Sequence, residues 1–119
     1  MGKHNEFGKE GEKIATDFLL KKGYEIKHKN YRYLKSEIDI IASKEDVLAI
    51  IEVRARNNDQ IIAIADTITK KKIKLLIQGA DHYVTDNELD VDVRFDVITI
   101  LKNKSIFKIE HLESAFYHF

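Results

Sequence analysis

Two acidic residues, Asp39 and Glu52, lie within apolar runs on either side of a short polar stretch, residues 43–46. Both runs alternate with the two-residue period of a β-strand, so the stretch between them is predicted to turn a hairpin. If Ala42 pairs with Val47, the two carboxylates emerge on one face, directly across or one diagonal apart. Neighbouring carboxylates repel, and proteins place such pairs where a cation lies between them. The spacing therefore indicates a metal site.

The same pattern has a plainer interpretation. Acidic residues that alternate with isoleucine on a hairpin usually form its solvated face. Ile41, Leu48 and Ile50 share the predicted face with the two acids. Ile38 and Ile40 are predicted to point to the opposite face. A face that mixes β-branched residues with acids is partly covered, and covered acids need a partner. On the pattern alone, the metal site and the solvated face both stay open.

The composition is that of a soluble globular protein with a single domain, residues 1–119. Of the 119 residues, 44% are hydrophobic and 34% charged, which suffices for one core. The absence of cysteine excludes disulfides and thiolate metal sites. A net charge of zero argues against a purely electrostatic nucleic-acid binder. Because no apolar run approaches the roughly 20 residues of a membrane span and the N-terminus lacks a signal-peptide core, we expect a cytoplasmic protein without membrane contacts.

The periodicity predicts an α/β domain with the element order α-β-β-β-α-β-β, a mixed sheet of about five strands flanked by helices. The first helix covers residues 8–22 and stops at Gly23. Glu12 lies at the border of its apolar stripe, where it can reach the edge of whatever the helix covers. It can equally be an acid of the first turn that the helix dipole stabilises. The strands cover residues 24–30, both halves of the hairpin, 93–101 and 106–110.

The second half of the chain is predicted to begin with one long helix, or two in succession, over residues 61–84. Its apolar side is expected at Ile68, Leu75, Ile77, Ala80 and Val84. The chain ends in an apolar tail, which we expect to dock on the core or on a second copy, so a homodimer is one alternative. The tail residues are Leu112, Ala115, Phe116, Tyr117 and Phe119.

Two groups of residues have the chemistry of nucleic-acid contacts. A lysine cluster in the long helix is typical of a solvated helix face, but it can instead flank the carboxylates and neutralise phosphates. Its members are Lys70, Lys71, Lys72 and Lys74. Tyr31 and Arg32 combine an aromatic with a basic side chain, which can stack on bases and grip phosphate. Tyrosine is also a common strand residue, so both interpretations stay open.

Six motifs in order along the chain resemble the YraN family, an uncharacterised family of small bacterial proteins. They are Gly8-x-x-Gly11-Glu12-x-x-Ala15, Gly23-Tyr24 with Asn30-Tyr31-Arg32, Glu37-Ile38-Asp39-Ile40-Ile41, Glu52-Val53-Arg54-x-Arg56, Lys72 with Ala80 and Tyr83, and Arg94-Phe95-Asp96-Val97. The family is assigned to the restriction-endonuclease-like, or PD-(D/E)xK, superfamily, and archaeal Holliday-junction resolvases share its acidic skeleton more distantly. The resemblance implies a three-layer α/β/α fold.

The resemblance also implies a nuclease site that depends on Mg²⁺ or Mn²⁺. Asp39 and Glu52 would bind the metal together with the backbone carbonyl of Val53. The metal would polarise the scissile phosphate and activate a water. Glu12 would complete the site from the helix, and the residue at position 54 would orient the water and stabilise the developing charge.

Two positions depart from the superfamily pattern. Arg54 stands where the superfamily has lysine, and arginine can clamp a phosphate but does not release a proton at neutral pH. Three outcomes stay open: a working enzyme in which Arg54 only stabilises charge, a slower enzyme, or a protein that binds at a retained metal site. Ser36 stands where glycine is usual, which matters less than the change at position 54 unless the backbone must approach the substrate closely.

We therefore expect a Mg²⁺-dependent endonuclease-like protein that acts on DNA, branched or otherwise irregular. The expected catalytic residues are Glu12, Asp39, Glu52 and Arg54, and the expected metal ligands are Asp39, Glu52 and Val53. The expected nucleic-acid contacts are Arg56, Lys70, Lys71, Lys72, Tyr31 and Arg32. The alternatives are a nuclease-like domain that binds nucleic acid without cleaving it, and a protein-interaction module whose acids form a solvated face.

Overall fold

The computed structural model describes residues 2–57 and 68–116, with side chains from residue 8 onward. It contains α1 (Gly2–Lys21), β1 (Glu25–Tyr33), β2 (Ser36–Lys44), β3 (Val47–Asn57), α2 (Lys70–Asp86), β4 (Asp92–Asn103) and β5 (Ile106–Leu112). This is the predicted order, α-β-β-β-α-β-β. The predicted first helix begins six residues too late, and most strands extend further than predicted.

The five strands form one mixed sheet in the order β1-β2-β3-β4-β5. Neighbouring strands are antiparallel except β3 and β4, which are parallel. Parallel neighbours need a long crossover connection, and α2 lies in that connection. β3 is thus the central strand, with antiparallel β2 on one side and parallel β4 on the other.

The two helices cover opposite faces of the sheet. The core beneath α1 is built from buried residues of α1, β2, β3 and β4, together with Tyr24 just before β1: Ala15, Leu19, Tyr24, Ile40, Ala42, Ala49, Ile51, Ile98 and Ile100. The core beneath α2 contains Ile38, Ile41, Leu48, Ile50, Leu76, Ala80 and Phe95. The layers are therefore helix, sheet and helix, which agrees with the expected α/β/α arrangement.

Glycine allows α1 to approach the sheet closely. A Cβ at Gly11 would lie 3.0 Å from Cβ of Ala55, near the end of β3. A side chain at residue 11 would therefore crowd β3, and the neighbouring Glu12 lies at that end of the sheet. The helix stops where predicted, because Gly23 adopts φ 93°, a left-handed conformation that glycine tolerates.

The helix α2 is capped by Thr69 at its N-terminus and by Asn87 at its C-terminus. Oγ1 of Thr69 accepts a hydrogen bond from the backbone N–H of Lys72 at 3.1 Å, which satisfies one of the free donors of the first turn. The predicted helical segment 61–67 lies outside the described residues. The predicted apolar side was wrong in two positions: Leu76, not Leu75, enters the core, and Ile68 precedes the helix.

Packing between α2 and β2 is tight at one contact. Gly79 faces Ser36, which is buried, and a Cβ at residue 79 would clash with Oγ and Cβ of Ser36. Within the described residues, the hydroxyl of Ser36 has no hydrogen-bond partner. Ser36 therefore affects packing against the helix, a role that the sequence did not indicate.

The central hairpin has a shorter turn than predicted. Lys44 pairs with Val47, and only Glu45 and Asp46 form the turn, with Glu45 at φ 56°. The predicted pairing of Ala42 with Val47 was wrong by two residues. A shift of two preserves the face of every side chain, because strand side chains alternate with period two.

The alternation of β2 breaks near Asp39. Ile40 and Ala42 lie in the core beneath α1, as their spacing requires, but Ile38 lies with Ile41 in the core beneath α2. The prediction that Ile38 shares a face with Ile40 was therefore wrong. The face of the strand changes between Ile38 and Ile40, which identifies Asp39 as the position of a local irregularity.

The C-terminal segment docks on the α2 side of the sheet, as one predicted alternative proposed. The ring of Phe116 stacks on Phe95 with centroids 5.4 Å apart. The backbone N–H of Ala115 donates to the carbonyl of Phe95 at 2.8 Å. Two other predicted tail residues, Tyr117 and Phe119, lie outside the described residues. Among the described residues, neither helix has the length and apolarity required to cross a membrane.

Candidate active site

Asp39 and Glu52 occupy neighbouring strands at the point where β2 and β3 separate. The β2–β3 ladder ends with the pair Ile40 and Ile51. The next pair in the same register would be Asp39 and Glu52, and a side-chain hydrogen bond joins these two acids. The predicted juxtaposition of these carboxylates is confirmed. The prediction was correct despite the wrong turn length, because the register was wrong by an even number of residues.

The carboxylate of Asp39 takes the place of a backbone acceptor in the gap between the strands. Its Oδ2 accepts a hydrogen bond from the backbone N–H of Val53 at 2.8 Å. Because the N–H and C=O of one strand residue point to the same neighbour, the carbonyl of Val53 also faces this gap. The gap thus brings together the three groups that were expected to bind a metal.

Glu52 is buried on the α2 side and lies beside two cations. The residue is 5% exposed, and its Oε2 lies 3.0 Å from Nη2 of Arg54 and 3.7 Å from Nζ of Lys72. Arg54 follows two residues later on β3 and therefore shares the face of Glu52. Lys72 reaches the same oxygen from the first turn of α2. Both cations are themselves largely covered by protein.

Burial and the neighbouring acid dominate the protonation of Glu52. Loss of solvation raises its pKa, and the negative charge and hydrogen bond of Asp39 raise it further, to about 7. Lys72 and Arg54 act in the opposite direction but do not compensate. At neutral pH a substantial fraction of Glu52 therefore holds a proton. A divalent cation between the two carboxylates would displace that proton.

Glu12 approaches the same region from α1. Partial burial and the charge of Asp39 raise the pKa of Glu12, whereas a hydrogen bond with the side chain of Asn30 lowers it. Lys29 also contributes an attractive charge. Glu12 is therefore within electrostatic reach of Asp39, and its side chain forms a hydrogen bond with Asn30.

Asn30 belongs to the same row of residues across the sheet. The pairs Lys29–Ile40 and Tyr31–Ile38 flank it, so it lies opposite Asp39. Asn30 adopts φ 55°, a left-handed conformation that asparagine tolerates better than most residues. This conformation lets its side chain reach Glu12. Asn30 appeared in the sequence only as part of a family motif, and a left-handed residue within a strand has no sequence signal that distinguishes it from a turn residue.

The oxygen donors at this site are of the kind that Mg²⁺ and Mn²⁺ prefer. Across residues 2–57 and 68–116, no group of three or more histidine, aspartate or glutamate side chains is close enough to hold a metal ion unaided. Asp39, Glu52 and the carbonyl of Val53 supply hard oxygen donors, and Mg²⁺ typically takes one or two carboxylates and fills its other positions with water and phosphate oxygens. The residues present therefore fit such an ion, with Glu12 further out.

The predicted lysine contacts separate into two kinds. Lys70, Lys71 and Lys74 are exposed, as a solvated helix face requires. Lys72 is half-buried and points towards Glu52. The first turn of α2 also carries only basic side chains, although the positive end of the helix dipole disfavours them. A bound anion would relieve that repulsion.

The remaining predicted contacts lie at the periphery. Nη1 of Arg56 donates to the carbonyl of Ala55 at 2.8 Å. Arg32 forms an ion pair with Glu37 at 3.2 Å on the exposed edge strand. Tyr31 instead packs against α2, with its hydroxyl 2.6 Å from Nδ1 of His82. The structure does not bring these three residues to the carboxylate pair.

A second polar cluster lies on the α1 side and was not predicted as a unit. Asp96 is fully buried and accepts hydrogen bonds from Arg94, from Nε2 of His111 at 2.7 Å and from the N–H of Ser114 at 3.1 Å. Burial acts to raise the pKa of Asp96, but these donors outweigh it and hold the pKa below its usual range. Arg94 also donates to the hydroxyl of Tyr24. Both carboxylate oxygens of Asp96 accept hydrogen bonds, so this cluster holds β4, β5 and the C-terminal segment together.

The chain is similar to a known protein family and to several of its members. The model of the family described as "Uncharacterised protein family UPF0102" matches residues 11–100. The protein "UPF0102 protein FP2501" of Flavobacterium psychrophilum is 46% identical over 119 residues, the whole of both chains. A UPF0102 protein of Christiangramia forsetii is also 46% identical over the whole of both chains. A third, from Phocaeicola vulgatus, is 45% identical over 98% of this chain and 97% of the relative.

The family model covers every motif on which the resemblance to the YraN family was based, apart from Gly8, and the matches to the first two relatives include that residue as well. They extend over nearly the full length of the relatives, so the similarity concerns the whole domain and not an isolated motif. The chain belongs to the uncharacterised protein family UPF0102.

Proposed function

We propose that this protein is a Mg²⁺-dependent endonuclease-like enzyme that acts on DNA. The proposal rests on one observation: Asp39 and Glu52 lie side by side at the separation of β2 and β3, with Arg54 and Lys72 on the same carboxylate. Paired carboxylates flanked by cations suit a reaction in which a phosphodiester must be held beside a metal ion.

The charges of the site favour a phosphodiester over a neutral substrate. Lys70 and Lys71 add positive charge to the first turn of α2, next to Lys72. Phosphate oxygens accept hydrogen bonds from lysine and arginine, and backbone N–H groups at a helix N-terminus bind anions as well. A DNA backbone running past this turn would therefore pass the carboxylate pair.

In the proposed reaction, the residues of this chain bind the substrate and organise charge. A divalent cation bound there would supply Lewis acidity at the scissile phosphate and lower the pKa of a coordinated water. Asp39 is held in place by the N–H of Val53, so its carboxylate is already oriented. Arg54 presents a planar group with several donors to the phosphate oxygens.

A second candidate function is binding of nucleic acid without cleavage. Arg54 favours it, because arginine retains its proton at any physiological pH and occupies the position at which related nucleases have lysine. In this case the carboxylate pair and the basic first turn of α2 would be retained for recognition. A protein-interaction module is the third possibility, and it requires no affinity for metal or DNA.

A cleavage panel separates these candidates. Wild type and Asp39→Asn are incubated with single-stranded, duplex, flapped and four-way DNA, in Mg²⁺ or Mn²⁺ and in EDTA. Asparagine keeps an oxygen that can accept from Val53 and removes only the charge. Metal-dependent cutting that Asp39→Asn loses is the expected result. Salt-sensitive binding without cutting by either protein would favour the second candidate, and neither binding nor cutting would favour the third.

A further inference from the structure

Lys72 differs from the other lysines of α2 in its position on the helix. It lies four residues before the buried Leu76, so the two side chains share the face that packs on the sheet. Lys70, Lys71 and Lys74 are exposed. The capping hydroxyl of Thr69 binds the N–H of Lys72 and fixes the backbone there. Packing of α2 thus determines where this ammonium group lies.

Lys72 and Arg54 both contact Oε2 of Glu52, yet their chemistry differs. The guanidinium of Arg54 is planar and suits the paired oxygens of a phosphate. The ammonium of Lys72 is compact, has three rotatable donors and can bind Glu52 and a second group at once. The side chain of Lys72 is 31% exposed, so its remaining donors can reach a group that enters from solvent.

We infer that Lys72 supplies, from α2, the ammonium group that orients the attacking water and stabilises charge at the reacting phosphate, while Arg54 holds the phosphate. This inference rests on the proposed function. It assigns Lys72 a role in turnover, in addition to the affinity for DNA that any lysine near the backbone confers. No proton transfer is required, because the ammonium acts through its hydrogen bonds.

The test compares wild type with Lys72→Arg and Lys72→Met on the DNA that is cut fastest. Turnover is measured at saturating DNA, and DNA affinity is measured separately in EDTA. Lys72→Arg retains the charge, so its affinity should stay within about threefold of wild type. Its turnover should fall roughly 10²- to 10³-fold, as expected when a group that stabilises transition-state charge is misplaced. Lys72→Met should lose turnover to the same extent and bind DNA more weakly.

A measurement without turnover examines the position of Lys72. Removing a positive charge beside the carboxylate pair should strengthen Mg²⁺ binding by Lys72→Met by about three- to tenfold. Lys72→Arg should bind Mg²⁺ like wild type. Lys108→Met is the matched control, because Lys108 is exposed on β5 and pairs with Glu110. It should match wild type in turnover, DNA affinity and Mg²⁺ affinity.

Two results would overturn the inference while the proposed function stands. One is an active wild type whose Lys72→Arg variant has normal turnover at saturating DNA. The other is an unchanged Mg²⁺ affinity in Lys72→Met, which would place Lys72 away from the carboxylates. A wild type that cuts no DNA would instead contradict the proposed function and the role in turnover together, and the Mg²⁺ affinities would then report on geometry alone.

Discussion

The backbone N–H of Val53 donates to Oδ2 of Asp39 at 2.8 Å, where β2 and β3 would otherwise pair through their backbones. This contact fixes the carboxylate in the gap between two strands. It also leaves Asp39 opposite Glu52 while the strands separate. The local failure of strand pairing thus creates the site, because a regular ladder would have filled the gap with backbone hydrogen bonds.

The first prediction concerns the pH dependence of stability. Native Glu52 keeps its proton up to a pKa of about 7, whereas an unfolded glutamate ionises near 4.5. Between these values the native state binds more protons, so the free energy of unfolding should fall as pH rises, by at most roughly 3 kcal/mol. Urea denaturation in EDTA between pH 5 and 8 measures the effect, and Glu52→Gln should flatten the curve.

Glu110, an exposed residue that forms an ion pair with Lys108, provides the control for that experiment. Glu110→Gln should leave the pH dependence of wild type unchanged, because surface ion pairs contribute little. The lowered pKa of Asp96 acts in the opposite sense, since its contribution is lost only as pH falls below about 4. A wild-type stability that rises from pH 5 to 8 would contradict the environment described for Glu52.

The second prediction concerns the contact between α2 and β2. Gly79→Ala should destabilise the fold by about 1–3 kcal/mol, because the new methyl group meets Ser36. Ser36→Gly removes the hydroxyl and the Cβ of Ser36, whereas Cδ1 of Ile38 stays 3.1 Å from the new methyl group, so the double variant should recover part of the loss. Denaturation of the two single variants and the double variant gives the coupling energy. Additive effects would show that the two residues are not in contact.

The third prediction concerns the buried aspartate beneath α1. Asp96→Asn removes the negative charge that Arg94 and His111 surround. The amide N–H group of asparagine then faces the N–H donors of these two residues. Breaking a buried ion pair in this way should cost roughly 3–5 kcal/mol. Thermal or urea denaturation measures the loss, again with Glu110→Gln as the exposed comparison. A loss below about 1 kcal/mol would mean that Asp96 is not required to hold the C-terminal segment.

The fourth prediction concerns Asn30, which combines an unusual conformation with a contact to Glu12. Asn30→Ala should lose about 1–2 kcal/mol, because alanine is strained at positive φ. Asn30→Gly should avoid that strain. Both variants remove the hydrogen bond that lowers the pKa of Glu12, so that pKa should rise in both. NMR titration of the Glu12 carboxyl carbon measures the shift, and an unchanged pKa would contradict the contact.

The sequence predicts the element order and the juxtaposed acids because both depend on periodicity. Alternation in β2 and β3 assigns Asp39 and Glu52 to one face, and a register error of two residues leaves that assignment intact. The turn length was missed, because Glu45 adopts a left-handed conformation that glutamate rarely takes. The position of Ile38 was missed because the irregularity at Asp39 depends on a contact with Val53 that is distant in sequence.

Other features depend on helix phase and on tertiary contacts. The apolar residues of α2 surround most of its circumference, so the pattern does not decide between Leu75 and Leu76. That choice determines which lysine faces Glu52. The hydrogen bonds of Asp96 come from Arg94 nearby and from His111 and Ser114, fifteen and eighteen residues away in sequence. No local pattern joins those residues before the strands pair.

Binding of a divalent cation by Asp39 and Glu52 is the central claim, and isothermal titration with Mg²⁺ and Mn²⁺ at pH 8 tests it most directly. Wild type should bind one cation, and Asp39→Asn and Glu52→Gln should each lose it, with Glu110→Gln unchanged. At pH 6.5 binding by wild type should also release protons, because Glu52 must ionise. Equal affinity in wild type and both site variants would contradict the claim, as would a folded wild type that binds neither ion.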